Sequence, residues 1–252
     1  MDWTDRFFKA EYQRDYYAYA ANQERTAREV EFIVAQLGIS KSSRILDLAC
    51  GSGRHTLGVA RHAAFVLGLD IAEPFIATAR QQAELSGLTN VGFEVADMRE
   101  LTGEGEFDAA YSYFTAWGYH DHRTNLDILK RVFLALKPGG GFLIELLSRE
   151  RLMTIFKAKD YNVAPDGRVT LHNREFDFEQ GRLRDNRIYI DANGTRTEIV
   201  LDNYVPAGDA LVRHLRDAGF AEVKLMEAPT GAPLTLQSPR MAAVAIKDQK
   251  GT

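Results

Sequence analysis

The sequence predicts an α/β protein, a doubly wound and mostly parallel sheet with helices on both faces, interrupted once by a small antiparallel meander. Three observations carry this reading. From Arg44 onward, short β-type runs alternate with helically spaced segments; the rhythm fails between about Arg151 and Tyr204; and it then resumes. With 252 residues, 45% of them apolar, the chain can bury a full core.

The elements follow in order. Val30, Ile33, Val34 and Leu37 fall at i, i+3, i+4 and i+7, a helical stripe ended by Gly38. The first strand, "RILDLA", breaks into Gly51 and Gly53. After the second strand, "FVLGLD", a helix opens with Pro74 in its first turn, sets Ile76, Ala79 and Ala83 on one side and stops at Gly87. "VGFEV" and "FDAAYS" are the third and fourth strands. Leu126, Leu129, Phe133 and Leu136 give the next helical stripe, which "KPGGG" terminates before "GFLIELL". Within the interruption, "EFDFE" and "RIYID" alternate as strands do, and "EQG" and "DANG" are turn signals. A helix from about Ala207 to Ala218, stopped by Gly219, precedes "AEVKLME" and "MAAVAIK", which bring the main sheet to seven strands. The expected division is a core with an N-terminal helical lid over residues 1–150, a β cap over 151–205, and the remainder of the core over 206–252.

Composition narrows the partners. Lys and Arg number 31 against 35 Asp and Glu, so no basic field attracts a polyanion, and nucleic acid is not the expected partner. The single cysteine, Cys50, forms no internal disulfide and, flanked by Ala49 and Gly51, reads as packing. The N-terminal stretch is punctuated by charges and lacks a signal-peptide core. No run of about 18 apolar residues occurs. The expectation is a cytoplasmic protein without a membrane partner.

The turn at "ILDLACGSGRHT" carries the chemistry. A strand that turns straight into a helix presents backbone N–H groups, and glycines let a ligand approach them. A nucleoside triphosphate loop needs Gly-Lys-Ser/Thr, whereas Gly53 is followed by Arg54 and His55. A dinucleotide loop needs a third glycine where Thr56 stands. Asp47, ahead of the glycines, would repel a pyrophosphate but suits a ligand bearing an ammonium group.

Through these residues the sequence resembles the class I S-adenosylmethionine-dependent methyltransferases, most closely the small-molecule enzymes with a β insertion after the fifth strand. The likeness runs through most of residues 30–147. It implies a Rossmann-like sheet whose last strand is antiparallel, with S-adenosylmethionine as cofactor. Asp47, Ala49, Gly51 and Gly53 would hold its methionine end and Asp70 the ribose, with Ile71 also in the cofactor site. Asp97 and Met98 in "VADMREL" would meet the adenine, and Tyr113, after the fourth strand, would also touch the cofactor. The implied reaction is in-line methyl transfer to a nitrogen or oxygen of a small-molecule acceptor. Two other classes share parts of the pattern: an NAD-dependent oxidoreductase, which the missing third glycine argues against, and a non-catalytic cofactor-binding protein. The acidic balance argues against a tRNA or protein acceptor.

Further residues have candidate roles. Tyr12, Tyr16 and Tyr19 share one helical face that could cover the core, and the resemblance implies that Tyr16 or Tyr19 faces the sulfonium. His120 is the candidate general base or substrate contact. Trp117 and Tyr119 are candidate walls of the acceptor pocket, and Arg149 a candidate contact for an acidic acceptor. "HDH" has two histidines and no third ligand nearby, so no metal is expected. The meander, with the N-terminal helix, is expected to cover the cofactor and build the acceptor pocket or a homodimer contact.

Overall fold

The computed structural model describes residues 22–249. Helix α1 (Gln23–Leu37) starts where the Asn22 side chain accepts a hydrogen bond from the Arg25 amide. It ends at Gly38, whose left-handed conformation turns its N–H back onto the last carbonyls. Strands β1 (Arg44–Leu48) and β2 (Phe65–Asp70) are joined through the short α2 (Arg54–Ala60). Helix α3 (Glu73–Leu85), with Pro74 in its first turn, leads to β3 (Val91–Val95), and β4 (Phe107–Ser112) follows. Helix α4 (His122–Ala135) is capped by the Asp121 carboxylate, which accepts from the Thr124 amide, and runs straight into β5 (Leu136–Leu146).

The insertion comprises α5 (Arg149–Ile155) and strands β6 (Lys159–Val163), β7 (Val169–Asp177), β8 (Arg182–Ile190) and β9 (Arg196–Tyr204). Helix α6 (Gly208–Asp217), β10 (Glu222–Glu227) and β11 (Met241–Ile246) complete the core. The main sheet has the order β10-β11-β5-β4-β1-β2-β3, and only β11 runs against its neighbours. Parallel neighbours need crossover helices, which here cover both faces. Successive strand residues therefore enter opposite cores: Ile45 packs with Ile33, Val59 and Leu143, while Leu46 packs with Leu129, Phe142 and Leu211.

One stripe is rotated from its expected setting. The buried line of α4 is Asn125, Ile128, Leu129, Val132 and Ala135, while Leu126 and Phe133 lie at the cluster margin. Asn125 faces inward because its amide donates to the His120 carbonyl at 2.8 Å, a contact that apolar periodicity does not register. Leu136 already belongs to β5, so "KPGGG" is drawn into the sheet rather than merely ending the helix.

The insertion forms its own antiparallel sheet in the order β6-β7-β8-β9, with the two anticipated turns at Gly181 and Gly194. It is tied to the loop after β4. The Tyr204 amide donates to the Gly118 carbonyl at 2.8 Å, and Arg182 Nη1 donates to the His120 carbonyl at 2.8 Å. A Cβ on Gly118 would lie 2.5 Å from the Tyr204 carbonyl oxygen, and its φ is 106°, so glycine is required for this approach. Among the described residues, no helix is long and apolar enough to cross a membrane.

Candidate active site

Strands β1 to β4 end on one edge of the main sheet, and the residues leaving them line an open cleft enclosing about 900 Å³. Asp47, near the end of β1, is buried, and its Oδ2 accepts from the hydroxyls of Thr56 (2.6 Å) and Tyr111 (2.7 Å). Burial pushes its carboxyl up to about 7, against the lowering effect of those two hydrogen bonds. Thr56, where a dinucleotide loop would have glycine, thus supports the acid.

Asp70, the last residue of β2, accepts from the Gly51 amide at 2.9 Å and the Ala72 amide at 2.8 Å, one on each oxygen. Burial raises its pKa, and the two amides pull the other way. Each oxygen keeps a lone pair for a ligand hydroxyl. Asp97, just past β3, is held by the Arg99 amide (2.8 Å) and by the guanidinium Nε (2.9 Å) and Nη2 (2.5 Å). Burial raises its pKa, and the Arg99 contacts outweigh that effect and lower it.

The opposite wall is charged and buried. Glu29 of α1 accepts from Arg25 Nε (2.9 Å), pairs with Arg54 Nη1, and meets His55 Nε2 at 2.9 Å. Burial raises the Glu29 carboxyl, but His55 and Arg54 bring it down to about 2. Burial lowers His55 to about 4, so at neutral pH the cluster holds an ionised glutamate and a neutral imidazole. The His55 ring lies 4.8 Å from that of Tyr113.

Beyond Tyr113 the chain is strained. Among the described residues, Ala49, Phe114 and Thr115 are the non-glycine residues with positive φ, at 61°, 74° and 58°. Such conformations cost about 1–3 kcal/mol each and persist where neighbours hold them. Glu145 of β5 does so here: its Oε2 accepts from the Phe114 amide at 2.7 Å and its carbonyl from the Thr115 amide at 3.1 Å. Arg240 closes the clamp, pairing with Glu145 and donating to Thr115 Oγ1.

This geometry agrees with known proteins. The family described as "Methyltransferase domain" matches residues 45–140, from β1 into β5. Residues 45–140 are similar to a methyltransferase domain. The putative methyltransferase YqeM of Bacillus subtilis is 32% identical over 123 residues, covering 48% of this chain and 49% of that protein, so the match spans about half of the relative's length. The solved S-adenosylmethionine-dependent methyltransferase from Clostridium acetobutylicum superposes with a TM-score of 0.80 at 14% identity, covering 94% of this chain and 99% of that one. CalS10 from Micromonospora echinaspora, an amino pentose methyltransferase solved with S-adenosylmethionine, gives 0.66 at 23% identity, covering 94% and 96%. These likenesses establish the class I methyltransferase fold.

Within the matched residues, the cleft brings together Asp47, Ala49, Gly51, Asp70, Ile71, Asp97, Met98, Tyr113, Tyr119 and His120. Tyr119 is anchored through its hydroxyl, which donates to the Thr115 carbonyl at 2.8 Å. His120 stands at the mouth beside Arg99, where a second, polar groove begins.

Three residues fall elsewhere. Gly53 packs: a Cβ there would press within 3.0 Å of Ala79 and Phe93 side-chain atoms, so its role is the close seating of α2. Trp117 is buried in the core, donating from its indole to the Asn125 carbonyl at 3.0 Å, and is not a pocket wall. Arg149 donates to the Val205 carbonyl at 3.2 Å and sits over the Phe176 ring, joining core to insertion instead of awaiting an acidic acceptor. Tyr12, Tyr16 and Tyr19 lie outside the described residues.

Sequence reasoning missed Glu29, Arg54, His55, Phe114, Glu145 and Arg240. Glu145 carried a signal of the same kind as Asp47: an acid inside an apolar strand, "FLIELL". Arg240 carried none, because its partners lie 95 and 125 residues away.

Proposed function

We propose that this protein is a methyltransferase that uses S-adenosylmethionine to methylate a nitrogen or oxygen of a polar small molecule. The observation that carries the reading is the row of carboxylates Asp47, Asp70 and Asp97 along one cleft, at the ends of three adjacent strands. The residues fit the cofactor: Asp47 offers a buried carboxylate for an ammonium group, and Asp70 keeps free lone pairs for two ribose hydroxyls. Asp97 and Met98 bound the place for the adenine.

When bound, the cofactor supplies an electrophilic methyl group on sulfur, displaced in line by a nucleophile. The chain's own part is to position and to exclude water. Tyr113 and Phe114 supply aromatic surface, and the Glu145–Arg240 clamp keeps them in place. His120, at the mouth, would contact the acceptor or take its proton; an amine arriving unprotonated needs no base. The groove beyond the mouth is lined by Arg99, His120, Asp121, Gln180, Arg182 and Asp202, which suits a hydrogen-bonding acceptor. CalS10, whose substrate is an amino pentose, supports the same choice. A net charge of -4 weighs against nucleic acid as acceptor.

Titration calorimetry with S-adenosylmethionine and NADH, followed by a labelled-methyl screen over metabolites, RNA and protein, tests this. The expected result is binding of the first compound alone and label in a polar metabolite. Binding of NADH alone, or label confined to RNA, refutes it.

A further inference from the structure

The polar groove beyond the cleft mouth encloses about 990 Å³ of open space, with the start of α4 on one side and the insertion on the other. Its insertion wall is built around one ion pair. Arg182 of β8 is held at three points: Nε donates to Asp202 Oδ1 at 2.5 Å, Nη2 to the Asp202 carbonyl at 2.7 Å, and Nη1 to the His120 carbonyl at 2.8 Å. The guanidinium is fixed in place. Three of its five N–H groups are thereby engaged with described residues, which leaves two donors for a ligand. Asp202 Oδ2 accepts from no described residue, and the Asp202 side chain is 41% exposed on the groove. A donor and an acceptor therefore stand side by side.

The facing wall adds little charge of its own, because both oxygens of Asp121 are turned to capping α4, accepting from the Thr124 amide at 2.9 Å and its hydroxyl at 3.0 Å. Two arginines and two aspartates line the whole groove, so its formal charge is zero. An anionic ligand group would lie against Asp202 and a cationic one against Arg182, and each would leave the other member of the pair unmatched. A hydroxyl avoids both conflicts. It donates and accepts at a single oxygen, so two adjacent hydroxyls satisfy the carboxylate and the guanidinium together.

We propose that the Arg182–Asp202 pair binds adjacent hydroxyl groups on an uncharged polyol ring, the carbohydrate class of ligand, and so selects what enters the groove. That this ligand is the methyl acceptor rests on the methyltransferase reading above; the preference of the pair for hydroxyls does not. The assignment gives the insertion a purpose. Arg182 Nη1 on the His120 carbonyl keeps the groove and the cleft mouth in register, so a ring held by the pair is also held relative to the cleft.

The test is titration without cofactor, following amide NMR shifts at Gln180 and His122, which line the groove from its two sides. The probes are methyl α-D-glucopyranoside, cyclohexanol, cyclohexanecarboxylate and cyclohexylamine, which share a ring size and differ in hydroxyls and charge. Wild type should bind the glucoside at least about tenfold tighter than the others, the scale of one hydrogen bond to a charged group. Asp202→Ala should remove that preference, Asp202→Asn should retain part of it, and Gln180→Ala, on an exposed turn, should weaken the glucoside by about two- to fivefold. The last two variants carry the same test should Asp202→Ala not fold. Affinity for S-adenosylhomocysteine, read by calorimetry, should stay within about twofold in all three, because neither residue lines the cofactor cleft. Equal binding of the carboxylate or the amine, no binding of the glucoside, shifts confined to residues outside the groove, or Asp202 variants that keep the full preference would each overturn the assignment. A protein that binds the glucoside but no S-adenosyl compound keeps this site and loses only the cofactor reading.

Discussion

The two ends of the cleft are built differently. At the proposed adenosine end, Asp70 and Asp97 are each held by a neighbour two residues along the chain, Ala72 and Arg99, with the Gly51 amide of the adjacent strand's turn also on Asp70, and the Arg99 side chain is 43% exposed. At the proposed methionine end the contacts span the molecule: Glu29 to Arg54 over 25 residues, Arg240 to Glu145 over 95, and Arg240 to Thr115 over 125. One end is built from the turns that follow three adjacent strands, while the other exists only once α1, β4, β5 and the loop before β11 have come together. Placing charges and strain at the second end makes that part of the cleft depend on complete folding.

Glu145→Ala should sharpen the contrast most. It leaves Arg240 without its acid and frees the left-handed pair Phe114 and Thr115, and breaking a buried pair on one side costs about 3–5 kcal/mol. Urea unfolding measures this; a loss under about 1 kcal/mol would mean that the clamp is not holding strain. Asp70→Asn should lower cofactor affinity by roughly 10–100-fold in calorimetry, the range of hydrogen bonds to a charged acceptor. Its effect on binding should exceed its effect on stability, the reverse of Glu145→Ala.

A smaller effect is expected from pH. Asp47 is raised by burial to about 7 from an ordinary value of 3.8, so between those values the folded, unligated protein binds a proton that the unfolded chain does not. Its contribution to stability is complete below the unfolded value and is lost as pH rises through about 7. An ammonium group favours the ionised carboxylate, so cofactor affinity should fall by up to about tenfold per pH unit below 7, with proton release. Calorimetry in buffers of different ionisation enthalpy reads that proton, and Asp47→Asn should abolish it. The least change is expected from Arg99→Ala. This partly exposed pair is worth at most about 1 kcal/mol, and an effect as large as that of Glu145→Ala would erase the distinction between the two ends.

The same contrast explains how much was legible beforehand. The alternation of strands and helices, the seven-stranded sheet and the meander appear as read, because each rests on periodicity and turn residues within a few positions. The row of acids was legible because Asp47 interrupts an apolar strand, Asp70 closes one, and Asp97 follows one by two residues. Trp117 and Arg149 were misplaced because position after a strand says where a residue begins, not which way its side chain goes. In both cases a carbonyl in a neighbouring segment captured the donor: that of Asn125 for Trp117, that of Val205 for Arg149.

By itself, the sequence determined the order of elements, the open glycine turn and the carboxylates along the sheet edge, since backbone propensity and strand alternation act over short distances. Only the tertiary structure decided which charges meet: Arg54 with Glu29, and Arg240 with Glu145. Desolvation is the reason. A charged side chain commits to a partner when water is removed from around it, and where water is removed depends on how distant segments pack.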